Sequence, residues 1–207
     1  MPERLGLPII LTAPSGTGKT TLCRRVLPLF SDLTLSVSYT TRPPRAGETD
    51  GVDYHFVSEE RFRERVAREE LLEWAVVHGN LYGTGVEYRT QWIEKGRDVL
   101  FDVDVQGAAR LAAIFPGAAK VFVLPPSFAA LEARLRGRAL DPPEVIERRL
   151  QNARREFLEC RKYHHVIVND DLAQAMDDFV SIIRAERIRT ARMESAIARL
   201  LAEIGAG

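Results

Sequence analysis

Residues 13–20 read APSGTGKT, with two glycines, one lysine and two threonines in eight positions. This set can hold the tail of a nucleoside triphosphate. Gly16 and Gly18 permit a tight turn whose main-chain N–H groups approach an anion closely. Lys19 can reach the β- and γ-phosphates, and the hydroxyl of Thr20 can ligate a magnesium ion. Ala13 stands where the general pattern opens with glycine, and its methyl group fits if the backbone there is not left-handed. A second stretch, SYTTRPPRAGETDGVDY, brings Ser38, Arg42, Arg45 and Tyr54 into one proline- and glycine-bearing loop. Two arginines three residues apart can grip one phosphate with paired, charge-assisted hydrogen bonds, and a tyrosine hydroxyl adds a third contact. A third, DVDVQG, sets Asp102 and Asp104 at the end of an apolar run.

These groups need a frame. LPIILTA, immediately before the glycine turn, is a β-branched run suited to a buried parallel strand. KTTLCRRVLPLF follows, with Leu22, Val26 and Leu29 at helical spacing and Pro28 limiting the helix. Strand, loop and helix thus occur in the order a phosphate site requires. LTLSVSY alternates as a strand. Ser58 is placed to cap a helix through about Glu70, and LLEWAVVHGNLYGTG reads as one or two strands about a turn at Gly79-Asn80. VEYRTQWIEKG reads as a helix ended by Gly96. DVLFDVDVQG is a buried strand to Asp102 or beyond, followed by a helix through Phe115 and the strand KVFVLP. Ser127 caps the next helix, and Asp141 with Pro142 at its first position starts another. HVIVND is the last core strand; Asp170 or Asp171 then opens a helix, and the tail beyond Arg189 is helical with an apolar stripe of Ile197, Leu200, Leu201 and Ile204.

Strands alternating with helices predict a three-layer α/β/α core of the P-loop NTPase kind with a mostly parallel sheet. Ligands of such sheets lie at the carboxyl ends of the strands, where Asp102 and Asp104 fall. Residues 36–96 break the alternation and are expected to carry a small sheet of their own. Lysine plus arginine equals aspartate plus glutamate, 29 against 29, which disfavours broad binding to nucleic acid or a membrane surface. Cys23 and Cys160 lack metal or redox spacing, no secretory pattern precedes the first strand, and no apolar run reaches roughly eighteen residues. A reduced cytoplasmic compartment is expected.

The chain resembles the guanylate kinases. APSGTGKT is similar to that family's variant of the phosphate loop, in which the first glycine is often replaced. The order S-x-TTR-x-x-R-x-GE-x-x-G-x-x-Y runs from Ser38 to Tyr54, and Glu73-Trp74, the YGT from Tyr82, DVDVQG, RLRGR and VIVNDDL follow in family order from about Pro8 to Arg189. The resemblance implies one domain: a core of 1–35, 97–126 and 158–207, a GMP-binding insertion of 36–96, and a mobile lid of 127–157. It implies ATP on Ala13, Pro14, Ser15, Gly16, Thr17, Gly18, Lys19, Thr20 and Thr21, with Asn169 near the adenine. Arg42, Arg45, Tyr54 and Tyr82 would hold the GMP phosphate, and Ser38, Glu73, Thr84 and Asp104 would surround guanine. Guanine offers N1–H and N2–H₂ as adjacent donors, which match an acceptor-only carboxylate. Magnesium would accompany ATP on Thr20 and, through water, Asp102. Lys19, Arg42, Arg134, Arg138 and Arg149 would stabilise the transferring group. The family usually shows glycine where this chain has Ala139, and Pro142-Pro143 stiffens the lid turn. Two other readings stay open on the sequence: a kinase for another phosphorylated acceptor, and a non-catalytic binding module of the same fold. The sequence also leaves open acceptance of dGMP and whether the chain is a monomer or a homo-oligomer.

Overall fold

A computed structural model describes residues 4–45, 47–77, 79–137 and 142–205. Its centre is a five-stranded, wholly parallel sheet in the order β2 (Leu33–Leu35), β7 (Asp98–Val103), β1 (Pro8–Thr12), β8 (Ala119–Leu124), β9 (His165–Val168). The apolar run PIILT becomes the middle strand because every one of its residues is buried. The parallel register sets Leu11 beside Asp102 and Thr12 beside Val103, so the phosphate loop and the aspartates leave the sheet at one edge.

Helices cover both faces. Leu22 and Val26 of α1 (Lys19–Val26) pack with Phe179 and Ile183 of α6 (Leu172–Arg187) against Leu11 and Val121. On the other face Leu111 of α3 (Val105–Ile114) packs with Phe101, Phe115 and Tyr88. α4 (Phe128–Gly137) and α5 (Pro143–Phe157) share a smaller core of Leu131, Leu135, Ile146 and Leu150. At the far edge of the sheet, wholly buried Asp98 accepts from Arg4, Arg187 and the Leu7 N–H, while Asp32 takes Arg4 at 2.8 Å and Arg187 at 2.6 Å. That network ties the first strand to the last long helix.

The segment that breaks the alternation forms a second sheet, ordered β4 (His55–Phe56), β3 (Tyr39–Thr40), β6 (Asn80–Gly85), β5 (Leu71–Val77). Ser58 caps α2 (Glu59–Ala67) by accepting from the Arg61 N–H. The helix stops before Glu70 because Glu69 turns left-handed at φ 56°.

Three expectations are corrected. LTLSVSY is two strands in different sheets: Ser36 N–H completes the pairing with Leu100 O, then Val37 N–H turns to the Tyr88 hydroxyl. VEYRTQWIEKG is a wide π-helical turn over Tyr88–Trp92 and a 3₁₀ turn over Ile93–Lys95, closed by left-handed Gly96. The wider turn seats both Tyr88 and Trp92 against the α3 face. Helix α5 starts one residue late, with Pro142 as cap and Pro143 first; Asp141 lies outside the described residues. The tail is helical as expected, forming α7 (Glu194–Glu203), and Leu200, Leu201 and Ile204 of its apolar stripe are exposed.

Candidate active site

The loop after β1 and the inner face of the second sheet border one cleft of about 430 Å³. Ala13, Pro14, Ser15, Gly16, Thr17, Gly18, Lys19, Thr20 and Thr21 form one wall. Gly16 and Gly18 have φ of 93° and 95°, the left-handed region that only glycine enters cheaply. Ala13 keeps a negative φ, since Glu69 is the sole non-glycine with positive φ among the described residues. Its methyl group instead joins the apolar core. Glycine's special backbone is therefore not required at position 13.

Gly18 is fixed from below. The Asn169 amide donates to Thr17 O at 2.6 Å, and a Cβ on Gly18 would meet that nitrogen at 2.3 Å. Arg134 of α4 donates to the Asn169 carbonyl at 2.9 Å. Asn169 and Arg134 thus brace the loop rather than line the cleft. Arg149 is half-buried on α5, away from the cleft lining, and Arg138 lies outside the described residues.

Lys19 Nζ sits 2.6 Å from Asp102 Oδ1 and donates to Val103 O at 2.8 Å. Burial opposes the ammonium charge, yet the attraction and hydrogen bond of Asp102 outweigh it, so the Lys19 pKa is raised and the group stays cationic. Thr20 and Asp102 both line the cleft.

Ser38, Arg45, Tyr54, Glu73, Tyr82 and Asp104 come from four separate stretches to the remaining walls. The side-chain period of two explains β5: Glu73, Ala75 and Val77 point into the cleft, while Trp74 and Val76 point out and are exposed. A register shift between Leu71 and Glu73 sets Glu73 opposite Thr84. The Thr84 hydroxyl, fully buried, donates to Glu73 Oε1 at 2.8 Å. Burial pushes the Glu73 pKa up, opposed by the Thr84 hydrogen bond and Arg110 and reinforced by Asp104. Asp104 caps α3 by accepting from Gly107 N–H at 2.8 Å with Oδ1, and it also lines the cleft. Tyr54 packs edge-on against Tyr82, and burial followed by the Asp102 charge raises its pKa, keeping the phenol a donor.

Arg42 stands one step back from the lining. It forms a two-pronged pair with Glu48 at 2.8 and 3.0 Å and lies 5.4 Å over the Tyr54 ring. The Glu48 hydrogen bond is the chief reason its pKa is raised, against burial.

Sequence reasoning missed Glu156, which reaches the cleft from α5. Burial raises its pKa, Asp104 adds to the rise and Lys19 counters it. Its signal was available: it follows buried Leu150 and Ala153 at helical spacing, a charged residue on an apolar stripe.

A triphosphate loop thus faces an acidic, tyrosine-lined recess assembled on an inserted sheet. The family model described as guanylate kinase matches residues 6–186. The chain belongs to the guanylate kinase family. It is 52% identical over 198 residues to a guanylate kinase of Syntrophotalea carbinolica, covering 96% of this chain and 94% of that one. It is 50% identical over 198 residues to the guanylate kinase of Neisseria meningitidis serogroup B, covering 96% and 97%. Among solved structures, a guanylate kinase from Anaplasma phagocytophilum is similar with TM-score 0.78 and 32% identity, covering 93% of this chain and 92% of that chain. Phosphorylation of GMP by ATP is the general reaction of guanylate kinases, which places the chain among ATP:GMP phosphotransferases. Among the described residues no helix is long and apolar enough to cross a membrane.

Proposed function

We propose that this guanylate kinase transfers the γ-phosphoryl group of ATP to GMP with the residue roles that follow, in the cytoplasm. The observation that carries the reading is the shared cleft: the Lys19 loop and the Glu73–Tyr54–Tyr82 wall border the same space. The loop N–H groups and Lys19 bind the β- and γ-phosphates, with Lys19 leaving Asp102 to do so. Arg45, Tyr54 and Tyr82 hold the acceptor phosphate, and Arg42 joins them by leaving Glu48. Ser38, Glu73 and Asp104 receive guanine, with Thr84 orienting Glu73. Adenine lacks guanine's adjacent donor pair and would leave the acceptor capacity that Glu73 turns to the cleft unfilled, and sites of this kind reject the wrong partner by roughly 10⁴-fold.

A Mg²⁺ ion suits the donor set. Thr20 offers a hydroxyl and Asp102 a carboxylate oxygen, and Mg²⁺ keeps waters and phosphate oxygens beside one or two protein ligands. When bound it would neutralise charge on the transferring phosphates.

An acceptor phosphate oxygen bonds to the γ-phosphorus as the bridge to the β-phosphate breaks, releasing ADP. The acceptor is already ionised, so no histidine base is needed. Arg134, Arg138 and Arg149, on the segment 127–157, act as a lid that closes over the triphosphate, where positioning and charge stabilisation supply the acceleration. An ADP-release assay with ATP, Mg²⁺ and GMP, AMP, UMP or dTMP tests the reading. Turnover with GMP alone among the four is expected; equal turnover of AMP would overturn the role of Glu73.

A further inference from the structure

Glu73 separates two hollows. It lines the cleft, and on its other side it lines a shallow groove with Trp74 and Arg110. Arg110 belongs to α3, in the core layer, whereas Glu73 belongs to β5 of the inserted sheet. The Arg110 guanidinium donates to the Trp74 carbonyl and lies 3.9 Å from Glu73 Oε2. Thr84 holds Oε1 from within the sheet, so each oxygen of Glu73 has its own orienting neighbour. The carboxylate is 7% exposed and Arg110 is 44% exposed, so a solvated cation reaches a desolvated anion from behind.

We propose that Arg110 is a positioning residue for acceptor recognition: it ties β5 to α3 and holds Glu73 as a carboxylate aimed at the base. This rests on the assignment of guanine to Glu73. The charges that bear on Glu73 are few. Arg110 favours ionisation, burial and Asp104 oppose it, and Thr84 contributes a neutral hydrogen bond. Glu69 borders the groove on the opposite side. Removing the Arg110 charge leaves burial and Asp104 less opposed, so Glu73 takes up a proton at higher pH and loses its match to guanine's donors.

The test is the pH dependence of kcat and of KM for GMP in wild type, Arg110→Gln, Arg110→Lys and Glu73→Gln. The phosphate of GMP titrates near pH 6 in every case, so differences between enzymes isolate the protein group. Arg110→Gln should raise KM for GMP by about three- to tenfold near neutrality, leave kcat within about twofold, and move the acid rise in KM to higher pH. Arg110→Lys, which keeps the charge, should retain the wild-type profile. An unmoved acid limb in Arg110→Gln, or an equal displacement in Arg110→Lys, overturns the proposal. Glu73→Gln separates the two levels of argument. If it leaves KM and base selectivity unchanged, the guanine assignment has failed. If it weakens GMP binding while Arg110→Gln does nothing, only the role of Arg110 has failed.

Discussion

Changing Glu73 to glutamine should move activity and stability in opposite directions. On the proposed reading, the carboxylate accepts from N1–H and N2–H₂ of guanine. Hydrogen bonds to a charged group are worth about 1.5–3 kcal/mol each. Glutamine keeps one acceptor oxygen but turns an NH₂ toward the second donor, so one such bond is lost and the other weakened. A loss of about 3–4 kcal/mol corresponds to about 10²- to 10³-fold in kcat/KM for GMP. Stability follows from the raised pKa of Glu73. Because the folded value lies above the unfolded one, the folded state binds more protons between the two values. Glu73's contribution to stability is then complete below the unfolded pKa and is lost as pH rises through the folded one. At neutral pH the buried carboxylate is a burden that glutamine removes, and the Thr84 hydroxyl can still donate to the amide oxygen. Melting of Glu73→Gln should therefore occur at higher temperature than wild type at neutral pH, with the gap closing toward about pH 4. Coupled steady-state kinetics and thermal melts across pH check both halves. Retained kcat/KM, or a lowered melting temperature at neutral pH, would refute the argument and make Glu73 a structural residue.

Other outcomes follow from the same geometry. Lys19→Met should lower turnover by about 10³-fold or more while a cooperative melt persists, measured by ADP release and circular dichroism. Gly18→Ala must place a Cβ at φ 95° and 2.3 Å from the Asn169 amide, so urea melts should show about 2–3 kcal/mol of destabilisation together with weaker ATP binding. Burial raises the Asp32 pKa, but Arg187 and Arg4 outweigh it and the net shift is downward. Its share of stability is present above the unfolded pKa and is lost as pH falls through the folded one. Asp32→Asn should therefore destabilise at neutral pH and flatten the acid limb of the stability profile.

The contiguous features were legible in the residues themselves, whereas of the features assembled across the chain only those carried by the family resemblance were. The phosphate loop could be read because its chemistry occupies eight consecutive residues between a strand and a helix. The inserted sheet was visible as a break in the strand–helix alternation. The split of LTLSVSY was not, because it depends on Tyr88, half a hundred residues on, supplying a hydroxyl to Val37. Family spacing gave Asn169 a place near adenine, but its amide contact with the Thr17 carbonyl, between residues 152 positions apart, could not be read from spacing. Arg110 looks like an ordinary helix charge until α3 is laid against β5. Glu156 alone could have been found locally, by asking why a glutamate continues an apolar stripe.

How does a chain of zero net charge prepare a site for two polyanions? Two of the cations assigned to phosphate contact already have carboxylate partners, Lys19 at Asp102 and Arg42 at Glu48. Paired in this way, they can be held largely buried without the penalty of burying an isolated charge. An arriving phosphate then exchanges one anion for another at each cation, so little new desolvation of lysine or arginine accompanies binding. The released carboxylates do not have equal prospects. Glu48 keeps the Arg45 N–H as a donor, whereas Asp102 remains at the sheet edge beside Thr20 and the phosphates, where a cation would offset its charge. On the proposed roles, the triphosphate that takes Lys19 would leave the Asp102 carboxylate without its partner, and Asp102 and Thr20 would then be the residues to hold Mg²⁺, with water between the ion and Asp102.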